Sequence, residues 1–151
     1  MTLKRLAIVM VLLLAFSMPA AAADAVKWFS LKEGTAKAKA EKKPLVVDFF
    51  FGEGCPRCVF LEKEVYSNTA IAKKLNDDFV PIRIDLTKDL TRDEEDLGNR
   101  FSYKKDCMLL FLDPEGNIVK DTKGKDLCFI DKVDPEWFIG YLDQVKTKSS
   151  R

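Results

Sequence analysis

Four cysteines and no histidine are the residues of this 151-residue chain whose types and spacing could do chemistry. Cys55-Pro56-Arg57-Cys58 is a Cys-x-x-Cys motif, and Cys107 and Cys128 stand apart from it. A three-residue spacing puts both sulfurs on one side of a first helical turn. There Cys55 meets unpaired backbone N–H groups and the helix dipole, which favour a thiolate. Cys58, one turn further in, is the more buried thiol, able to resolve a mixed disulfide formed at Cys55. Arg57 adds a cation beside the attacking sulfur. Two other readings stay open. A structural bond across so short a loop constrains the unfolded chain little. A zinc site normally wants four Cys or His ligands, and the chain has no His to contribute.

The surrounding elements are of the kind that position such a pair. Leu45 to Phe51 is an apolar, β-prone run interrupted by a single acid, Asp48, as expected of a buried central strand. Gly52-Glu53-Gly54 breaks it. From Pro56 onward, Val59, Phe60, Leu61, Val65 and Tyr66 suit a helix with proline in its first turn. Ser67 and Asn68 mark a break and a new start into Ile71 to Leu75. Ahead of the strand, Ser30 to Lys43 reads as a solvated amphipathic helix stopped by Pro44.

Phe79 to Leu86 reads as a second strand weakened at its start by Pro81. Thr91 to Phe101 reads as a charged helix with its acids early, Asp93 to Asp96 being a solvated helix start. Met108 to Leu112 is a third strand. Asp113-Pro114-Glu115-Gly116-Asn117 is turn chemistry, with Ile118-Val119 beginning a returning strand. Asp134-Pro135-Glu136 opens a last helix, with Trp137, Phe138, Tyr141, Leu142 and Val145 along one face. Trp28 and Trp137 read as packing residues, and Phe49, Phe50 and Phe51 as core and groove wall. The order α β α β α β β α implies parallel pairing early and an antiparallel edge late.

The first residues read separately. Lys4 and Arg5, an apolar run from Leu6 to Phe16 and Ala20 to Ala23 describe a secretory signal peptide over residues 1–23, cleaved before Asp24. The run is shorter than the roughly 20 apolar residues a bilayer span needs. Loss of Lys4 and Arg5 leaves 23 basic against 24 acidic side chains in residues 24–151, a net charge of −1. That excludes an electrostatic footprint for nucleic acid and predicts a soluble mature domain. Export, to a periplasm or beyond, places the cysteines where disulfides persist.

The segments "KPLVVDFFFGEGCPRC", "FVPIRIDLT" and "MLLFLDPEGNIV" resemble the strands, active-site turn and final hairpin of the thioredoxin superfamily, from about Lys43 to Val145. Their order and the charged helix are most similar to the exported reductase-like branch, which includes the C-terminal domain of DsbD. The resemblance implies an α/β thioredoxin fold: a central mixed four-stranded sheet, with room for a short extra strand, flanked by helices. It implies a thiol–disulfide oxidoreductase with no organic cofactor, acting on protein thiols and disulfides, and a membrane electron donor if it works as a reductant.

Asp48 then matches the acid that assists proton transfer to the inner cysteine, one residue further from Cys55 than is usual. The family's cis-proline position falls on Cys107, between Asp106 and Met108, where a cis bond without proline would cost about 3–4 kcal/mol and a trans bond is expected. Pro56, Arg57, Asp106, Cys107 and Met108 would line the substrate groove. Cys128, in the connection after the last strand, would pass beside it. A second disulfide Cys107–Cys128, a relay through Cys107, a zinc or iron–sulfur centre on Cys55, Cys58, Cys107 and Cys128, and an inert buried Cys128 all remain open. So does a non-catalytic interaction module built on the same groove.

Overall fold

The structure is a computed structural model that describes residues 25–149; the expected signal peptide lies outside the described residues. Its centre is a four-stranded sheet in the order β2-β1-β3-β4. The strands are β1 (Leu45–Phe50), β2 (Val80–Asp85), β3 (Leu109–Leu112) and β4 (Cys128–Phe129). β1 runs parallel to β2 and antiparallel to β3, which pairs antiparallel with β4.

The helices are α1 (Leu31–Glu41), α2 (Pro56–Phe60), α3 (Thr69–Asp78), α4 (Arg92–Arg100) and α5 (Pro135–Ser149). A π-helical segment, Leu61–Tyr66, continues α2. Side chains of β1 alternate between two cores. Leu45, Val47 and Phe49 pack with β2 residues, Ala38 of α1 and Leu97 of α4. Val46 packs with Leu61, Val65 and Tyr66 of the π segment, Ile71 of α3 and Phe138 of α5. Asp48, two residues beyond Val46, therefore shares a face with the residues that follow the Cys-x-x-Cys turn. Among the described residues no helix is long and apolar enough to cross a membrane.

Local chemistry accounts for the boundaries. Ser30 caps α1, accepting from the Glu33 N–H at 3.3 Å, and the helix ends at Glu41 because Lys42 turns left-handed at φ 54°. Thr91 and Glu94 form a reciprocal capping box on α4. Pro81 sits inside β2 without harm. Its carbonyl faces Phe29, outside the β1–β2 ladder, so the missing N–H lies on that outer side too.

Four expectations need correction. Ile118 forms only an isolated bridge to Leu112, and the returning strand is Cys128–Phe129, reached after a second turn at Asp121–Lys125. Cys128 therefore lies within the last strand rather than after it. Both turns are closed by an aspartate accepting two backbone N–H groups, with Gly116 and Gly124 at positive φ. Trp137 is 70% exposed and packs no core; it occupies the first turn of α5, whose buried face is Phe138, Leu142 and Val145. Phe51 lies beyond β1 and is 53% exposed, whereas Phe49 is core.

Candidate functional site

At the carboxyl end of β1 the chain passes through Gly52, at φ +85°, and enters α2 with Cys55 as its N-cap. Only glycine suits Gly52: a Cβ there would need a left-handed backbone and stand 2.9 Å from Thr87 Cγ2. Cys55 Sγ accepts from the Cys58 N–H at 3.2 Å, so the sulfur occupies the place of a capping oxygen. Pro56 takes the first helical turn, where a missing N–H costs nothing. Cys55 and Cys58 are joined as a disulfide with their Cα atoms 5.2 Å apart. Cys55 is half-buried and Cys58 is 2% exposed, with its Sγ accepting from the Phe51 N–H at 3.3 Å. One sulfur is open to a partner, and the other is shielded and hydrogen-bonded.

Behind the Cys-x-x-Cys turn lies a charge cluster centred on the buried pair Asp48 and Arg57. Asp48 is 2% exposed and accepts from both terminal nitrogens of Arg57 at 3.3 Å and from Arg83 Nη2 at 3.3 Å. The β1–β2 register sets Arg83 directly beside Asp48. The π segment contributes Glu62, bound to Arg83 Nη2 at 2.5 Å, and the buried Tyr66. Arg83 also stacks on Trp28, 4.0 Å from the ring centroid, which gives that tryptophan a role in the cluster.

Burial pushes the Asp48 carboxyl above its ordinary value of 3.8, against the pull of Arg57 and Arg83. Burial also raises the Tyr66 phenol well above its ordinary range, so it stays neutral. The Tyr66 hydroxyl and the Nε atoms of Arg57 and Arg83 are buried without a hydrogen-bond partner. The expected place of Arg57 in the groove is not observed. Its guanidinium turns inward to Asp48 and only 7% of the residue is exposed, because the buried carboxylate offers a partner. Pro56, beside it, is exposed.

Cys107 and Cys128 are paired as a second disulfide, Cα–Cα 5.2 Å. No peptide bond among the described residues is cis, so the bond before Cys107 is trans. Asp106 is exposed, Cys107 buried and Met108 half-buried. Met108 ties this end of the sheet together: its carbonyl accepts from the Phe49 N–H at 2.9 Å and its N–H donates to Phe129 at 2.7 Å. Both disulfides thus lie at the carboxyl end of β1. Their sulfurs pair two by two, and among the described residues no group of three or more His, Cys, Asp or Glu gathers as a metal site. Arg83, Glu62 and Tyr66 were not singled out from sequence. The only signal for Arg83 was its place between Ile82 and Ile84, on the opposite face of an alternating strand.

A family model described as thioredoxin-like matches residues 25–114, which include Asp48, both Cys-x-x-Cys cysteines, Arg83 and Cys107. The chain belongs to the thioredoxin-like family. Solved structures agree on the fold. A candidate disulphide-isomerase from Bacteroides thetaiotaomicron is 26% identical, with a TM-score of 0.58 over 85% of this chain and 96% of that one. A thioredoxin from Thermus thermophilus is 22% identical, TM-score 0.60, over 83% of this chain and 90% of that one. The DsbH oxidoreductase is 18% identical, TM-score 0.58, over 87% and 90%. Comparison with curated proteins finds no match. In this thioredoxin-like chain the matched region ends at Pro114, so β4 and Cys128 lie beyond it.

Proposed function

We propose that the protein is an exported thiol–disulfide oxidoreductase that acts on partner proteins, more as a reductant than as an oxidant. The carrying observation is the asymmetry of one pair: a half-buried Cys55 at a helix N-terminus, bonded to a buried Cys58. In the reduced protein, Cys55 thiolate attacks a partner disulfide, forming a mixed disulfide and expelling one partner thiolate. Cys58 then attacks Cys55 Sγ. The Cys55–Cys58 bond forms and the second partner thiolate leaves, so two electrons have passed to the partner. Asp48, on the sheet face behind Cys58, would take up the Cys58 proton, a role that its raised affinity for protons suits.

Asp106, Cys107 and Met108 would border the partner groove. The reducing direction, and the likeness to the C-terminal domain of DsbD, rest on the segment order and the charged helix read from the sequence. A membrane dithiol donor would restore the reduced state, and no organic cofactor is required. Export rests on the basic, apolar and alanine-rich stretches of residues 1–23.

The test is alkylation mapping of every thiol by mass spectrometry across a series of glutathione poises, with metal content measured on the same sample. Cys55–Cys58 is expected to titrate reversibly as one two-electron pair, and Cys58→Ser to accumulate mixed disulfides on Cys55. Stoichiometric zinc or iron with no Cys55–Cys58 disulfide would overturn the proposal in favour of a metal site. Unchanged partner binding by a cysteine-free variant, with no trapped adduct, would favour an interaction module.

A further inference from the structure

The Cys107–Cys128 disulfide takes no part in the exchange proposed above, and its two sulfurs stand in unlike surroundings. Cys107 is 6% exposed, in the bend before β3. Cys128 is half-buried in β4, an edge strand of the sheet, and its Sγ stands 4.0 Å from the Asp106 carbonyl oxygen. Both cysteines border an open groove of about 750 Å³. Lys105, Lys120, Lys125 and Lys132 line it together with three aspartates, an excess of one cation. Among the described residues, Asp126 is the one of these aspartates that is ion-paired, to Lys120 at 2.5 Å. Lys132 lies 5.2 Å from the centroid of the Phe60 ring, so the groove reaches the helix that carries Cys58.

We propose that Cys107–Cys128 is a second reducible disulfide of the folded protein, a clasp opened when an external dithiol attacks Cys128. The attacking thiolate bonds to Cys128 Sγ, the bond to Cys107 breaks, and its electron pair leaves on Cys107, which takes a proton from solvent. The donor's second thiolate then attacks the donor's own sulfur in the mixed disulfide and releases Cys128 as a thiolate, which also takes a proton from solvent. The donor ends oxidised, and two electrons and two protons have reached the Cys107/Cys128 pair. Three features favour this course. The less buried partner is the one attacked, the lysines stabilise the thiolates released, and an edge strand leaves the approach open. Opening the clasp leaves β4 held by its two register pairs with β3 and by Phe129 packed on Phe111 and Tyr141.

The experiment follows reduction of this pair by dithiothreitol in the Cys55→Ser/Cys58→Ser variant, so that failure of the first proposal leaves it untouched. The full chain is expressed with its own N-terminal segment, purified without reductant, quenched with acid and mapped by alkylation. Reduction in the native state is expected within about tenfold of the rate in denaturant, as exchange at an accessible sulfur requires. Reduction about a thousandfold slower, rising with denaturant in step with global unfolding, would show a sealed structural bond and overturn the proposal. With the same Cys55→Ser/Cys58→Ser variant and glutathione, the first adduct is expected on Cys128; adducts on Cys107 alone would also overturn it.

Discussion

Arg57 stands inside the Cys-x-x-Cys turn, yet it contributes its charge to the interior. The buried Arg57 guanidinium and Asp48 carboxylate lose several kcal/mol of hydration each, and their mutual attraction recovers that only while both partners stay in place. Arg57→Ala leaves Asp48 with Arg83 alone and is expected to destabilise the oxidised protein by about 3 kcal/mol in urea unfolding. A loss under about 0.5 kcal/mol, the usual range for a surface site, would mean that Arg57 does not serve as the buried partner of Asp48.

The same cluster carries a pH signature. The folded protein holds the Asp48 proton more tightly than the unfolded chain does, since burial raises the carboxyl above 3.8. Its contribution to stability is therefore full below the unfolded value and is lost as pH rises through the folded one. Melting temperatures of wild type should fall relative to Asp48→Asn as pH climbs from about 4 towards neutrality. A gap that instead moves in favour of wild type would mean the two arginines outweigh burial.

At the level of elements, close packing carries what propensity does not. Gly34 sits mid-helix in α1, where a Cβ would stand 2.4 Å from Ile82 Cγ1 and 2.6 Å from Ile82 Cδ1. Glycine lets α1 lie directly on β2. Gly34→Ala would gain about 1 kcal/mol of helix propensity, yet overpacking against Ile82 costs about 1–3 kcal/mol. The melting temperature is therefore expected to fall; a rise would mean that α1 can lift off the strand freely. The strands and helices that carry a continuous apolar run or a local start signal were legible in the sequence: the run from Leu45 to Phe51, the early acids of Thr91 to Phe101, and Ser67 and Asn68 before α3. β4 was not, because Cys128–Phe129 is too short for any periodicity and is placed by Leu110 and Leu109 opposite it.

For the whole molecule, the Cys107–Cys128 bond joins residues 21 apart in sequence and ties the bend before β3 to the edge strand. Closing a loop of that length should stabilise the fold by about 3 kcal/mol through the unfolded chain. Cys107→Ala/Cys128→Ala is expected to lower the urea-unfolding free energy by that amount, and no loss would mean that the closure contributes nothing. The residue pattern alone determined the Cys-x-x-Cys motif, the strand before it and the helix after it, because each rests on neighbours within one turn or one strand. Tertiary structure decided the rest: that Arg57 faces inward, that Arg83 meets Asp48, that Cys107 pairs with Cys128 and that Trp137 faces solvent. Those outcomes depend on strand register and on which buried charge needs a partner, and both are set by residues distant in sequence.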